Sequence, residues 1–147
     1  MRNRDLAFDH LRRSEARLLA LDVLFDRQSW ADVVRESQEV VELALKGLLR
    51  ARGVDPPRIH DVADVLLAER GRMPPELAPQ LERLAAASRT LRRDRELAFY
   101  GAEDLTPSSF YREADALAAR DSARDVVAAV RPHISASTTP RQMLLAP

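Results

Sequence analysis

Apolar residues recur along this chain at steps of three and four and nowhere alternate with polar ones at a step of two, a pattern that predicts helices and no strands. The first helix is predicted from about Asp5 to Leu24, with Leu11, Leu18, Leu21 and Val23 turned inward. After a turn over Asp26–Ser29 comes the strongest segment, where Trp30, Val33, Val34, Ser37, Val40, Val41, Ala44, Leu45, Leu48 and Leu49 form a wide apolar stripe. Ser29 stands where a hydroxyl caps a helix start, and Asp32 lies in the favourable first turn. Gly53 can close this helix in the left-handed conformation, and Pro56-Pro57 prevent it from resuming.

Asp61 is placed to cap a short helix holding Val62, Val65, Leu66 and Leu67, which Gly71 would stop. Pro74-Pro75 restart the chain into a helix from about Glu76 to Phe99, whose inner stripe runs Leu77, Leu81, Leu84, Ser88, Leu91 and then Arg95. Gly101 breaks it, and 102–109 reads as an exposed loop with Thr106-Pro107 and Ser108-Ser109 as turn signals. A last helix from about Tyr111 to Val130 uses Ala114, Leu117, Ala118, Val126, Val127 and Val130, with Pro132 at its end. The expected architecture is all-α, an up-and-down bundle of four to five helices over residues 1–134, followed by a flexible tail over 135–147. The stripe that starts at Trp30 is wide enough to suggest surplus apolar surface, which a homodimer would cover.

Arg95 is the anomaly in this pattern. It continues an apolar stripe, and a guanidinium carried toward a helical seam must find a carboxylate, a polar neighbour or an anionic ligand. Composition narrows the choice only a little. The 147 residues carry 23 basic and 23 acidic side chains, so no global charge advertises nucleic acid or membrane, and any such contact needs a local patch. Arg92, Arg93 and Arg95 are that patch, and repeated across a dimer axis they would line a basic cleft. Cysteine is absent, which excludes disulfides, thiolate catalysis and cysteine-held metal. His10, His60 and His133 show no metal-ligand spacing, so neither a metal site nor a cofactor is expected. With no hydrophobic leader or spanning run, a cytoplasmic location is expected.

Taken in order, Glu36-Ser37-Gln38-Glu39-Val40-Val41-Glu42-Leu43-Ala44-Leu45-Lys46-Gly47-Leu48-Leu49, then Gly53-Val54, His60-Asp61-Val62, and Leu91-Arg92-Arg93-Asp94-Arg95 with Tyr100-Gly101, the segments resemble the HEPN family (higher eukaryotes and prokaryotes nucleotide-binding). The resemblance spans roughly Asp5 to Pro132. It implies a small helical protein that dimerises. Many members are metal-independent ribonucleases whose arginine and histidine, in an Arg-x(4 to 6)-His motif, meet across the dimer. Others pair with a minimal nucleotidyltransferase, often as toxin and antitoxin, and some have no nuclease activity. Arg95 matches the arginine, but the residue five positions on is Tyr100, and no histidine follows until His133.

Metal-free cleavage of RNA needs a base for the 2′-hydroxyl, an acid for the leaving oxygen and a cation for the phosphorane. Arg95 suits the last role, whereas Tyr100, with an ordinary phenol pKa near ~10, is a poor base at neutral pH. The missing histidine therefore favours a nonenzymatic partner of a nucleotidyltransferase that contacts nucleotide or RNA through Arg92, Arg93, Arg95, Tyr100 and His60. The competing reading is an endoribonuclease toxin in which Tyr100 or His60 replaces the usual base. A third leaves the arginines in internal salt bridges. Phe99, Tyr100, Phe110 and Tyr111 bracket the Gly101 loop either as a stacking shelf for a base or as loop anchors, and Glu42 and Lys46 are spaced as a solvated ion pair.

Overall fold

The computed structural model describes residues 2–56, 58, 61–100 and 110–135, with only the backbone given for Arg2, Arg95, Leu97 to Tyr100 and Ser135. These residues form five α-helices and no strand: α1 Arg2–Asp26, α2 Trp30–Ala51, α3 Val62–Ala68, α4 Leu81–Tyr100 and α5 Glu113–Ser135. Two 3-10 turns, Arg70–Arg72 and Pro75–Gln80, join α3 to α4. The all-α bundle expected from the pattern is therefore what the chain forms.

α2 is the central element. Val33, Val34, Val40, Val41, Ala44, Leu45, Leu48 and Leu49 are all buried, and so are Ser37, Gln38, Leu43 and Gly47 on its other sides. α1, α4 and α5 cover it. Each fully buried leucine or valine contributes about 1.5–3 kcal/mol relative to exposure, so this helix supplies much of the driving force for the fold. From Val33 to Leu49 the same chain covers the stripe, so little of the surplus apolar surface expected on it is found among the described residues. Trp30 itself is half-buried against Phe25, edge to face at 5.0 Å.

Ion pairs and hydrogen bonds between helices give their directions. Arg17 meets Glu36 at 2.6 Å and Arg50 meets Asn3 at 3.1 Å, so α1 and α2 run antiparallel. Arg120 and Arg124 both reach Asp22, while Arg131 reaches Glu15, which sets α5 antiparallel to α1. α4 also opposes α5, since Arg83 pairs with Asp125 and the Tyr111 hydroxyl donates to the Asp94 carbonyl.

Several local expectations hold and several fail. Asp61 caps α3, its carboxylate accepting from the Ala63 amide at 3.0 Å. Gly53 closes α2 with φ of 76°. Ser29 occupies the N-cap of α2, yet its hydroxyl donates to Asp32 instead of accepting a backbone N–H. The helix read from Glu76 begins as α-helix only at Leu81, because Pro79 has no N–H for an α-helical ladder and leaves the preceding turn in 3-10 form. Gly71 does not stop α3 but sits inside a 3-10 turn. Pro132 does not end α5: the helix continues to Ser135, with Ile134 fully buried. Burial of that isoleucine offsets the backbone hydrogen bond that a proline cannot make. The inner face of α5 starts with Ala116, Ala119 and Ala123, whereas Ala114, Leu117 and Ala118 face solvent, and Val23 of α1 is exposed as well.

Candidate functional site

The stripe that runs into Arg95 is built as its spacing predicts. Leu77, Leu81, Leu84, Ser88 and Leu91 are all buried, which turns this side of α4 toward the bundle. Arg95 lies in α4 four residues beyond Leu91, and Tyr100 is its last residue. The side chains of both lie outside the described residues, as does the whole of His60.

Arg89, Arg92 and Arg93 occupy the neighbouring face of α4, since steps of three and four along a helix return to one side. α3 packs beside them with two carboxylates in register. Asp64 accepts from Arg89 at 2.6 Å, and Asp61 lies 3.4 Å from Arg92. The Asp64 hydrogen bond is the chief reason that the Arg89 guanidinium is held still more firmly in its charged form. The Arg92 contact is longer, and Asp61 already spends one oxygen on the Ala63 amide. Arg93 is exposed and pairs with no other described residue. Along this row the cations become less committed to internal partners from Arg89 to Arg93.

Asp94 is the residue of this segment that the pattern left without a role. It is half-buried between the arginines, and burial pushes its carboxyl above the ordinary carboxylate range, against the pull of Arg93 and with a contribution from Asp115. Its main-chain carbonyl accepts from the buried Tyr111. Tyr111 is thus a loop anchor, its ring stacked edge to face on Phe110 at 5.0 Å. A carboxylate flanked by basic residues in Arg92-Arg93-Asp94-Arg95 was visible in the sequence, but nothing in the periodicity marks how deeply it sits.

The remaining candidates lie elsewhere. Glu42 and Lys46 form the expected pair at 3.6 Å. His10 is half-buried beside Gly47. Two open hollows of about 540 and 440 Å³ sit at the far end of α2, the first lined by Arg52, Gly53 and Arg72 and the second by Arg52, three prolines and His133. Neither Arg92 nor Arg93 is among the residues that line them. No group of three or more histidine, aspartate or glutamate side chains suited to a metal occurs among the described residues.

A family model described as the HEPN domain matches residues 7–133, the span that holds these helices, the buried stripe and the arginine row. The chain belongs to the HEPN family. The match takes in α1 through most of α5, so the HEPN domain is nearly the whole described structure. No curated protein and no solved structure matches the chain. Among the described residues of this HEPN protein, no helix is long and apolar enough to cross a membrane.

Proposed function

We propose that this HEPN protein is the nonenzymatic partner of a minimal nucleotidyltransferase in a toxin-antitoxin type pair, and that as a homodimer it contacts nucleotide or RNA phosphate through Arg92, Arg93 and Arg95. Tyr100 and His60 are assigned to the same contact. The observation that carries the reading is the row on α4, in which Arg93 is exposed without a described partner and Arg92 is held only at 3.4 Å by Asp61. Cations so loosely engaged are available to phosphate, and each phosphate contact releases counterions and steepens the salt dependence of binding. Tyr100 stands where the ribonucleases of the family carry histidine, and a phenol is the wrong base for neutral pH.

Incubating the purified protein with labelled RNA in EDTA, beside Arg95→Ala, tests the absence of catalysis. No cleavage by either protein is the expected result. EDTA-resistant cleavage that disappears in Arg95→Ala would establish the alternative, a metal-independent endoribonuclease toxin with an atypical base. Binding is tested with the Arg92→Ala/Arg93→Ala protein, which should bind the same RNA more weakly and with a shallower salt dependence. Tyr100→Phe should weaken binding without lowering thermal stability. Co-purification with a nucleotidyltransferase encoded beside it tests the pairing.

A further inference from the structure

α3 lies against α4 as an acidic edge beside a basic one. Asp64 meets Arg89 at 2.6 Å and Asp61 lies 3.4 Å from Arg92, so the two helices run antiparallel and the pairs form at the same step of three on each. Three residues of helix rise about 4.5 Å, which sets the two carboxylates, and the two guanidinium groups, at a matching spacing. Val62, Ala63 and Leu66 are buried, and Asp61 is also fixed by the Ala63 amide. The acidic edge is thus held in register by packing and capping, not by the ion pairs alone. Arg93 continues the basic row, exposed and with no partner among the described residues.

Two carboxylates at a fixed separation on two arginines stand where two phosphates would. Successive charges along one strand of a duplex are about 3.4 Å apart on its axis, and further apart when the strand is extended. Each carboxylate is tethered beside its arginine and so acts at a high effective concentration, which a free phosphate monoester in solution does not match. A strand escapes this limit. Once one phosphate rests on the open Arg93, its neighbours are tethered too and exchange with the carboxylates on equal terms. Exposed ion pairs are worth little, so the exchange is easy once the competitor is local. Asp64, 65% exposed, is free to swing into water, whereas Asp61, 23% exposed and engaged with the Ala63 amide, stays while Arg92 turns from it.

We infer that Asp61 and Asp64 are built-in stand-ins for phosphate and that Arg89 is a further phosphate contact, so that the row on α4 admits a nucleic-acid strand with successive phosphates and turns away a single nucleotide. The inference rests on the phosphate contact proposed for Arg92 and Arg93, and it narrows the ligand from nucleotide or RNA to the strand. It also gives the acidic edge of α3 a task beyond capping and packing, that of setting how many phosphates a ligand must bring before it is held.

Titration calorimetry of the full chain with an oligouridylate of about ten nucleotides, and with uridine monophosphate, measures the discrimination. The strand should bind at least about a hundredfold more tightly. Asp64→Asn removes a competing charge at nearly constant shape, and it should tighten both ligands, the mononucleotide more in proportion, so that the ratio falls. Arg89→Ala should weaken the strand and make the slope of log affinity against log salt shallower by about 0.7. In Arg89→Ala/Asp64→Asn the second change should add nothing, because the carboxylate has no arginine left to occupy. Arg131→Ala removes the same charge from α5 and should bind like the wild type. The inference is overturned if uridine monophosphate matches the strand, if Asp64→Asn gains nothing, or if Arg89→Ala loses no more than Arg131→Ala. It is equally overturned if inorganic polyphosphate, whose charges are more closely crowded, binds as tightly as the oligouridylate. Strand binding that is lost in Arg92→Ala/Arg93→Ala but untouched in Arg89→Ala and Asp64→Asn would remove this inference alone. Binding by none of the proteins, Asp64→Asn included, would remove the function proposed above as well.

Discussion

The hydroxyl of Tyr111 donates to the main-chain carbonyl of Asp94, fastening the approach to α5 onto the turn of α4 that carries the arginines. The ring is buried and supplies packing as well, so the two contributions can be separated by substitution. Tyr111→Phe keeps the packing and leaves the carbonyl with one bond fewer, a loss of about 1 kcal/mol. Tyr111→Ala removes the ring too and should cost about 3–4 kcal/mol. Urea unfolding distinguishes them. Equal losses would mean that the hydroxyl, not the ring, does the anchoring.

Asp61 serves two partners, the Ala63 amide at 3.0 Å and Arg92 at 3.4 Å. Asparagine can still cap a helix but carries no charge, whereas alanine can do neither. Asp61→Asn should therefore leave stability nearly unchanged, and Asp61→Ala should cost about 1 kcal/mol. Both release Arg92, and both should bind RNA more tightly than the wild type. Weaker binding by Asp61→Asn would show that Asp61 orients Arg92 instead of competing for it.

How far the sequence goes in foretelling this structure depends on what each feature rests on. The buried stripe Leu77, Leu81, Leu84, Ser88 and Leu91 was legible because periodicity alone determines it, and the Asp61 cap because one side chain and one amide make it. On α1, Leu11, Leu18 and Leu21 turn inward as the pattern says, but Val23 does not. Leu19 and Val23 are as apolar as Leu11 and Leu21, and nothing local says that α2 and α5 lie on one side only. Pro132 misled for a related reason, since its local cost is outweighed by the distant packing of Ile134. At the candidate site, the arginines of α4 could be read from their spacing, but their commitment to Asp61 and Asp64 depends on where α3 docks.

His10 gives the fold a pH dependence of definite sign. Burial first, then Arg13, Arg50 and Lys46, lower its pKa below the ordinary 6.5, with Asp9 opposing. Its Nδ1 is buried with no described partner. At pH values well above 6.5 the imidazole is neutral in both folded and unfolded chains and contributes no slope. As the pH falls through 6.5, the unfolded chain takes up the proton first, so stability declines until the pH passes the lowered folded value, and then levels off. The raised carboxyl of Asp94 acts in the opposite sense at more acid pH, where the folded chain protonates first. Subtracting the unfolding free energy of His10→Gln isolates the histidine. The difference between wild type and variant should move against the wild type between about pH 7.5 and pH 5.5. A difference that stays flat, or moves the other way, would refute the assignment.

Three glycines should rank by what surrounds them. A Cβ on Gly47 would meet the Ile134 Cδ1 at 3.1 Å, the Ala7 carbonyl oxygen at 3.2 Å and the His10 Cβ at 3.3 Å. The isoleucine tip can swing aside, but the other two atoms move only with α1 itself. Displacing α1 would stretch the Arg17 to Glu36 and Arg50 to Asn3 bonds that lock it onto α2. Gly47→Ala gains about 1 kcal/mol in helix propensity against this crowding, while Gly47→Leu adds further carbons to a filled seam and should lose about 2–3 kcal/mol. Gly53 has open space but a φ of +76°, so Gly53→Ala should lose about 1 kcal/mol through backbone strain alone. Gly71 has neither constraint, and Gly71→Ala should be neutral. Urea unfolding of the variants reads the order directly. If Gly53→Ala proved more damaging than Gly47→Leu, the close crossing of α1 over α2 would not be what demands a glycine at position 47.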